Sequence, residues 1–271
     1  TDMNDKKKLE KVYIKKNNQL LEGAWDKALF DIVSEIKQRG PENTISISGK
    51  FTDVETLFAS KLFLESIGSK LYDCRFDNAQ FIEDVRASYV LNSSIQEIEN
   101  ADAILLIGSN PRWEASVLNA RIRKAYLQND CKIGLIGKNI NLNYNFVHLS
   151  DSIAHINEIH DGSSSFCKIL KEAKNPLLII GTSAINHEEG QKVLNNCAEI
   201  AKKLPNSNDN FNPLNILHQD ISRVGALDLG YYNSLFNFSF EEKLKNTIKE
   251  TKPVIFLLGQ DEINMEVLND A

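Results

Sequence analysis

The chain has 271 residues, a length that favours two compact lobes, or one lobe inserted into another, over a single core. Hydrophobic residues make up 42% of the chain and charged residues 25%, a composition that excludes a largely disordered protein. The formal net charge is −6, from 37 acidic and 31 basic residues, which argues against a protein whose main role is to coat nucleic acid.

The first predicted elements are a hairpin and an amphipathic helix. Residues 11–21 alternate around Asn17-Asn18, as an edge hairpin does. Apolar residues at helical spacing then predict a helix that starts at Trp25 and ends at Arg39, before a Gly-Pro pair. We therefore expect this helix to bury one apolar side.

Strands and helices alternate through the next part of the chain. Residues 44–48 form a β-prone run, and Thr52 with Glu55 predicts a capping box at the start of the following helix. Residues 101–107 are typical of a buried strand, and a turn and a helix separate them from the next strand at 132–136. This βαβ unit predicts a parallel sheet covered by helices.

The same plan recurs towards the C-terminus. A strand at 177–181 precedes a helix at about 187–204, and a further strand is predicted at 253–259. Residues 206–213 are rich in Asn, Ser and Asp and predict a loop. Residues 260–271 are too few to complete the last unit, so we expect a chain cut at its C-terminus.

The turn after the 101–107 strand is the best candidate ligand site. In an open parallel sheet, ligands bind beyond the carboxyl ends of the strands, near helix N-termini. The candidate residues are Gly108 to Arg112, including Ser109; Gly108 allows close backbone approach, and Pro111 suits a first helical turn. Asn110 can cap the helix or read a polar edge, and Arg112 can hold an anion. The alternative is a well-formed turn without a ligand.

A basic stretch follows on the next helix, at Arg121, Arg123 and Lys124. It indicates either a contact with phosphate or an acidic partner, or a solvated helix face. Two nucleotide-binding motifs are absent from the sequence, since it contains no G-x-G-x-x-G and the Gly49-Lys50 pair lacks the rest of a Walker loop.

The sequence offers no catalytic or metal-binding cluster. No C-x-x-C occurs, no serine lies in a nucleophile elbow, and no histidine has a companion at metal-ligand spacing. We therefore predict no catalytic residue and no metal ligand, and we expect the four cysteines to be free thiols: Cys74, Cys131, Cys167 and Cys197. The longest apolar runs are of strand length, so we expect no membrane insertion.

Two adjoining segments carry a resemblance to a known family. Residues 101–112 form the strand followed by Gly-Ser-Asn-Pro-Arg, and residues 119–124 read Asn-Ala-Arg-Ile-Arg-Lys. The first segment resembles the molybdopterin oxidoreductase superfamily. The second resembles the cofactor-free version of that fold in the large iron–sulfur subunit of respiratory complex I, the NADH:quinone oxidoreductase. Further matches extend the resemblance over nearly the whole chain.

The resemblance implies a molybdopterin oxidoreductase-like α/β fold, with parallel-sheet, Rossmann-like lobes and helices on both faces. It also implies a division into two lobes. Residues 1–67 and 167–271 would form one discontinuous α/β lobe, truncated at its C-terminus, and residues 68–166 an inserted Rossmann-like lobe.

The chain departs from the cofactor-binding members at two positions. Active members bring a Cys, a selenocysteine or a Ser to molybdenum shortly before the 101–107 strand, and the only sulfur available here, Cys74, fits that position poorly. Residues 137–140 read Gly-Lys-Asn-Ile where pterin-binding members show an Asp-Pro-Arg turn. The resemblance therefore implies a vestigial site at residues 108–112 and no cofactor in this chain.

The implied function is architectural. The segment would support the electron path from NADH to quinone without taking part in catalysis, and iron–sulfur clusters would lie in the parent subunit before residue 1. Its partners would be other subunits of the peripheral arm, contacted through residues such as Arg121, Arg123 and Lys124, and not nucleic acid. The segment, soluble in isolation, would lie peripherally on the cytoplasmic side of a bacterial inner membrane or on the mitochondrial matrix side.

Two alternatives stay open. One is an active oxidoreductase domain that binds a molybdenum pterin at the 108–112 turn. The other is a free-standing nucleotide-binding module.

Overall fold

The computed structural model describes residues 11–205, 211–233 and 239–259. The predicted loop at 206–213 lies partly outside these residues, and the predicted cut end at 260–271 lies wholly outside them. The described part of the chain contains ten strands: β1 (Val12–Lys16), β2 (Gln19–Gly23), β3 (Thr44–Ser48), β4 (Leu71–Asp73), β5 (Ala103–Ile107), β6 (Lys132–Ile136), β7 (Val147–Ser150), β8 (Pro176–Gly181), β9 (Leu214–Leu217) and β10 (Val254–Leu258).

The strands form one hairpin and two parallel sheets. β1 pairs with β2 in antiparallel fashion, and β3, β4 and β10 form a three-stranded sheet in the order β10-β3-β4. The remaining strands form a five-stranded sheet in the order β7-β6-β5-β8-β9, again with parallel pairing throughout. The parallel sheets confirm the predicted α/β class.

Helices connect the strands. Those in the described ranges are α1 (Trp25–Arg39), α2 (Val54–Ser66), α3 (Pro111–Glu114), α4 (Ser116–Gln128), α5 (Ile156–Asp161), α6 (Phe166–Glu172), α7 (Gly190–Lys203), α8 (Arg223–Asp228) and α9 (Phe240–Thr251). Short 3₁₀ turns join several of them.

The five-stranded sheet is covered on both faces. Every residue of β5 and β8 is buried, as expected for central strands of a parallel sheet. Because side chains alternate along a strand, Leu105 belongs to a core cluster with Phe166 of α6 and Leu194 of α7, while Leu106 belongs to a cluster with Ile122 of α4. Helices therefore lie on both faces, as predicted.

The three-stranded sheet has a smaller core. Ile45 and Ile47 of β3 form a buried cluster with Phe240, Leu244 and Ile248 of α9. On the other face, the Tyr231 hydroxyl donates to the Ser46 hydroxyl at 2.6 Å. This face also adjoins α2, since Phe63 of α2 and Phe256 of β10 pack edge to face with ring centroids 6.0 Å apart.

The strand pairing does not follow the predicted division into lobes. A boundary at residues 166/167 would separate β8 and β9 from β5, β6 and β7, yet all five belong to one sheet. The sequence pattern does not show this, because a parallel strand can add to either edge of a sheet after any crossover.

The predicted hairpin and first helix are confirmed, with one difference. Asn17 and Asn18 turn the chain with φ of 48° and 62°, the left-handed conformation that asparagine tolerates. The apolar side of α1, however, faces solvent. Trp25 is 68% exposed and Phe30 71%, and only Ile36 is fully buried.

The predicted capping box of α2 is wrong. Asp53 caps the helix instead, since its carboxylate accepts the Thr56 N–H at 2.8 Å and the Thr56 hydroxyl at 2.9 Å. The Thr52 hydroxyl donates to the carbonyl of Leu258 at 2.8 Å. Because the Thr52 hydroxyl bonds to Leu258, far away in the sequence, it does not cap α2.

Candidate functional site

Gly108 turns the backbone directly after the central strand β5. Its φ of +54° lies in the left-handed region, and its N–H donates to the Ile136 carbonyl at 2.8 Å. A Cβ at this position would lie 2.7 Å from the Cβ and the backbone nitrogen of Ala184. Glycine is therefore required both by the backbone conformation and by the close approach of the turn after β8.

The two polar side chains of the turn, Ser109 and Asn110, differ in their hydrogen bonding. The Ser109 hydroxyl donates to the Glu114 carboxylate at 2.8 Å. The Asn110 side chain does not cap α3, and its Oδ1 is buried without a hydrogen-bond partner in the described part of the chain. Pro111 is the buried first residue of α3, as predicted. Within the described ranges, Asn110 Oδ1 is thus the only side-chain atom of the turn that is buried and unpaired.

Arg112 acts as a brace in this structure. Its side chain is exposed, and its Nη1 donates to the Asn141 carbonyl at 3.1 Å. A cavity of about 260 Å³ adjoins the turn. It is lined by residues 108–110 together with Glu114, Lys138 and Ser183, but not by Arg112. The cavity is smaller than the roughly 300–1,000 Å³ of most small-molecule sites.

A buried ionic network begins where β4 ends. The Asp73 carboxylate, fully buried, accepts the Arg75 backbone N–H at 2.7 Å and its guanidinium at 2.8 and 3.1 Å. It also accepts the Asn233 N–H at 3.0 Å. The Arg75 guanidinium pairs in addition with the carboxylate of Glu83. Two buried charges are therefore compensated at the carboxyl end of the three-stranded sheet.

A second buried arginine lies beyond the end of β9. Arg223 is 1% exposed, donates to Asp77 at 2.9 Å and pairs with Asp220. The guanidinium lies over the Phe81 ring, 5.8 Å from its centroid, and the His218 ring packs against Phe81 with the ring centroids 5.4 Å apart. Burial lowers the pKa of His218 to about 4, so this imidazole is neutral at pH 7.

The carboxyl ends of the two sheets meet at this network. The Ser222 hydroxyl, just before Arg223, donates at 2.8 Å to the Gly49 carbonyl, just after β3. Sequence reasoning did not predict the network. A signal was present, because charged residues recur at every second position from the last residue of β4, at Asp73, Arg75 and Asp77, and charges are costly to bury unless they are paired.

Cys74 lies inside the same network and is 4% exposed. Burial raises the pKa of its thiol to about 12. The thiol is enclosed by the side chains of the network, so its burial leaves no open position for a metal beside it. Cys74 is also not among the residues that line the cavity at Gly108.

The basic residues of α4 differ in their surroundings. Arg121 pairs with Glu99, and Lys124 pairs with the same carboxylate at 2.6 Å. Hydrogen bonds from Lys124 and Arg121 lower the pKa of Glu99. Arg123 is exposed, and its guanidinium makes no hydrogen bond or ion pair within the described ranges. Asn119 of the same helix is buried, and its side-chain oxygen accepts the Tyr144 hydroxyl at 2.8 Å.

The described residues hold neither a metal cluster nor a membrane span. They contain no group of three or more His, Cys, Asp or Glu side chains placed to hold a metal ion. Among the same residues, no helix has the length and the apolar character needed to cross a membrane. All four cysteines are buried and free.

Comparisons with known proteins agree over almost the whole chain. A family model described as molybdopterin oxidoreductase matches residues 9–270. The chain is 35% identical to the NADH-ubiquinone oxidoreductase 75 kDa subunit of Reclinomonas americana, over 96% of this chain and 39% of that protein. It is 33% identical to an NADH-quinone oxidoreductase subunit of Rickettsia felis, over 97% of this chain and 38% of that protein.

A plant relative gives the same result. The chain is 32% identical to the mitochondrial NADH dehydrogenase (ubiquinone) iron-sulfur protein 1 of Solanum tuberosum, over 91% of this chain and 32% of that protein. The chain thus spans less than two fifths of the length of each of these relatives.

Proposed function

The chain belongs to the molybdopterin oxidoreductase family, and from this premise we propose that it is an architectural segment of the large iron–sulfur subunit of an NADH:quinone oxidoreductase. In the proposed assembly, electrons pass from NADH through iron–sulfur clusters to quinone. The segment holds no redox cofactor, and the clusters lie in the parent subunit before residue 1. Its partners are other subunits of the peripheral arm.

Sequence similarity supports the assignment to this subunit. The relatives named as subunits of NADH-quinone or NADH-ubiquinone oxidoreductases match more than nine tenths of the chain. The proposed location follows from that assignment. It is peripheral, on the cytoplasmic side of a bacterial inner membrane or on the mitochondrial matrix side.

The burial of Cys74 away from the cavity at Gly108 carries the cofactor-free part of the proposal. This residue holds the only sulfur near the position where active members of the family hold molybdenum. It is buried, it is enclosed by the ion pairs of Asp73, Arg75 and Arg223, and it does not line the cavity at Gly108. We therefore derive no step through a molybdenum pterin.

The buried ionic network supports an architectural role for the segment rather than a catalytic one. Breaking a buried ion pair leaves an uncompensated charge, which costs about 3–5 kcal/mol. The pairs of Arg75 and Arg223 therefore hold the loops after β4 and β9 in fixed positions. A segment held in this way offers neighbouring subunits surfaces of constant shape.

Elemental analysis tests the cofactor-free role. We expect the purified chain to contain far less than one molybdenum per molecule and to show no pterin absorption in the visible spectrum. One molybdenum per chain, with a pterin chromophore, would overturn the architectural proposal. It would favour the alternative, an active domain with its cofactor at the 108–112 turn, which the conformation of Gly108 and the unpaired Asn110 Oδ1 support.

Co-purification tests the assignment to the complex. The gene product that contains this chain is tagged in its source organism and isolated from detergent-solubilised membranes. We expect NADH–quinone oxidoreductase activity to co-purify with it. Recovery of the tagged protein without this activity would contradict the assignment.

A further inference from the structure

The side of α4 that faces solvent carries several large apolar groups. Val117 is 69% exposed and Leu127 61%, and Trp113 on the adjoining helix α3 is 81% exposed. A surface helix normally presents a polar outer side, so this exposure is unusual. We call this surface the outer α4 face and define it by six exposed residues: Trp113, Val117, Ala120, Arg123, Lys124 and Leu127.

The outer α4 face does not pack against the hydrophobic core of the described residues. The inner side of the same helix is already packed by the buried residues Leu118, Ile122 and Ala125. Positions 117, 120, 124 and 127 follow helical spacing on the opposite side. The helix therefore has two contact surfaces, of which the described residues cover one.

The charge of α4 is of one sign. The sequence Ser116–Gln128 contains Arg121, Arg123 and Lys124 and no carboxylate, within a chain whose net charge is −6. Glu99, which lies outside the helix, compensates Arg121 and Lys124. The Arg123 guanidinium keeps its five donors for a partner. An occupant of this face is complementary if it carries a carboxylate next to an apolar patch.

We propose that the outer α4 face is a docking site for a neighbouring protein subunit whose contact surface is apolar at its centre and acidic at its border. This inference rests on the proposed function and specifies the kind of partner it requires. Trp113 is the anchor, because tryptophan buries the largest apolar area, and Arg123 forms the ion pair. Tryptophan and arginine are the residues that most often dominate binding energy at protein interfaces.

The test uses the tagged gene product in its source organism. Trp113→Asp combined with Val117→Asp places two charges in the apolar part of the face. The control is Ile221→Asp, which changes a residue of similar exposure, 80%, outside the face. We expect the double variant to recover about tenfold less NADH–quinone oxidoreductase activity per tagged molecule, and the control to match the wild type.

A second pair of variants tests the charge. Arg123→Gln removes the unpaired guanidinium, whereas Lys168→Gln removes an exposed charge on α6 that pairs only with Glu172 in the described part of the chain. We expect Arg123→Gln alone to lower recovery and to remove part of its dependence on salt. Melting temperatures of the isolated chains should agree within a few degrees, because all these positions are exposed.

The outcomes separate the two proposals. If the wild type recovers the activity and both face variants recover it equally well, the docking site is wrong while the proposed function stands. If the wild type recovers none, the proposed function fails, and the docking site fails with it. If the isolated wild-type chain dimerises and Trp113→Asp makes it monomeric, the occupant is a second copy. If nuclease treatment removes the activity recovered with the tagged protein, the occupant is nucleic acid. Dimerisation through Trp113 or dependence on nucleic acid would each overturn an acidic protein subunit as the partner.

Discussion

The two parallel sheets of this chain differ in how completely helices and their buried side chains cover them. The five-stranded sheet buries every residue of β5 and β8 and is covered on both faces. The three-stranded sheet is flanked by α1, which leaves most of its apolar side exposed. A groove of about 440 Å³ runs between α1 and β10.

This difference shows that apolar periodicity and burial are separate properties. Both α1 and α4 carry apolar residues at helical spacing, but α4 buries Leu118, Ile122 and Ala125, whereas α1 has only Ile36 fully buried. Five large apolar side chains of α1 are exposed, a clustering typical of an interface: Trp25, Leu29, Phe30, Ile32 and Val33. The five-stranded sheet is complete by itself, and the three-stranded sheet is not.

The largest expected loss of stability follows from breaking the buried ion pair of Asp73, which lies near the junction of the two sheets. Asp73→Ala leaves the buried Arg75 without its bidentate partner, and we expect the free energy of unfolding to fall by about 3–5 kcal/mol. Urea denaturation measures this loss. Asp31→Ala on α1, which removes an exposed pair with Lys27, is the control, with a change within about 0.5 kcal/mol. Equal effects of the two substitutions would mean that the buried network does not hold the sheets together.

A pair of leucines compares the two regions directly. Leu106→Ala in β5 removes a fully buried side chain, so we expect a loss of about 2–5 kcal/mol. Leu29→Ala on α1 removes a side chain that is 53% exposed, and we expect a change within about 0.5 kcal/mol in the isolated chain. Both values come from urea denaturation. If Leu29→Ala cost as much as Leu106→Ala, the side of α1 would be part of the core of this chain.

The smallest expected effect is a difference between two glycines with positive φ. Gly108→Ala at the end of β5 adds an overlap with Ala184 to the backbone strain, whereas Gly68→Ala, before β4, meets nothing within 4 Å. We expect Gly108→Ala to cost about 1–3 kcal/mol more than Gly68→Ala. Thermal and urea unfolding of both variants measure this. Equal costs would show that the turn at Gly108 relaxes freely, as an open ligand site can.

Local sequence signals led to reliable predictions. Asn17-Asn18 form the hairpin turn, the Gly-Pro pair after Arg39 ends α1, and the strand at 132–136 has the predicted bounds. These features depend on backbone preferences of neighbouring residues, which act within a few positions. The order of the strands in a sheet does not depend on such local preferences. For this reason the pairing of β8 with β5 and with β9 was not predicted.

The candidate site shows the same limit. The turn at Gly108 follows from its residue types, and its positive φ was accessible to sequence reasoning. The pairing of Arg121 and Lys124 with Glu99 joins residues 22 and 25 positions apart, and Arg223 meets Asp77 across 146 positions. Such partners depend on the completed fold. The sequence therefore indicated where charges lie but not which of them are already neutralised.

The position of β10 has a practical consequence for handling the protein. Within the described ranges, β10 pairs only with β3, so no described strand bonds to the peptide groups along its other edge, which can pair with another extended chain. Val254, Ile255 and Leu257 of β10 line the groove beside α1, and Leu257 is 41% exposed. Concentrated preparations of the isolated chain should therefore aggregate edge to edge, and a solubilising charge at Leu257 is the first change to make before crystallisation.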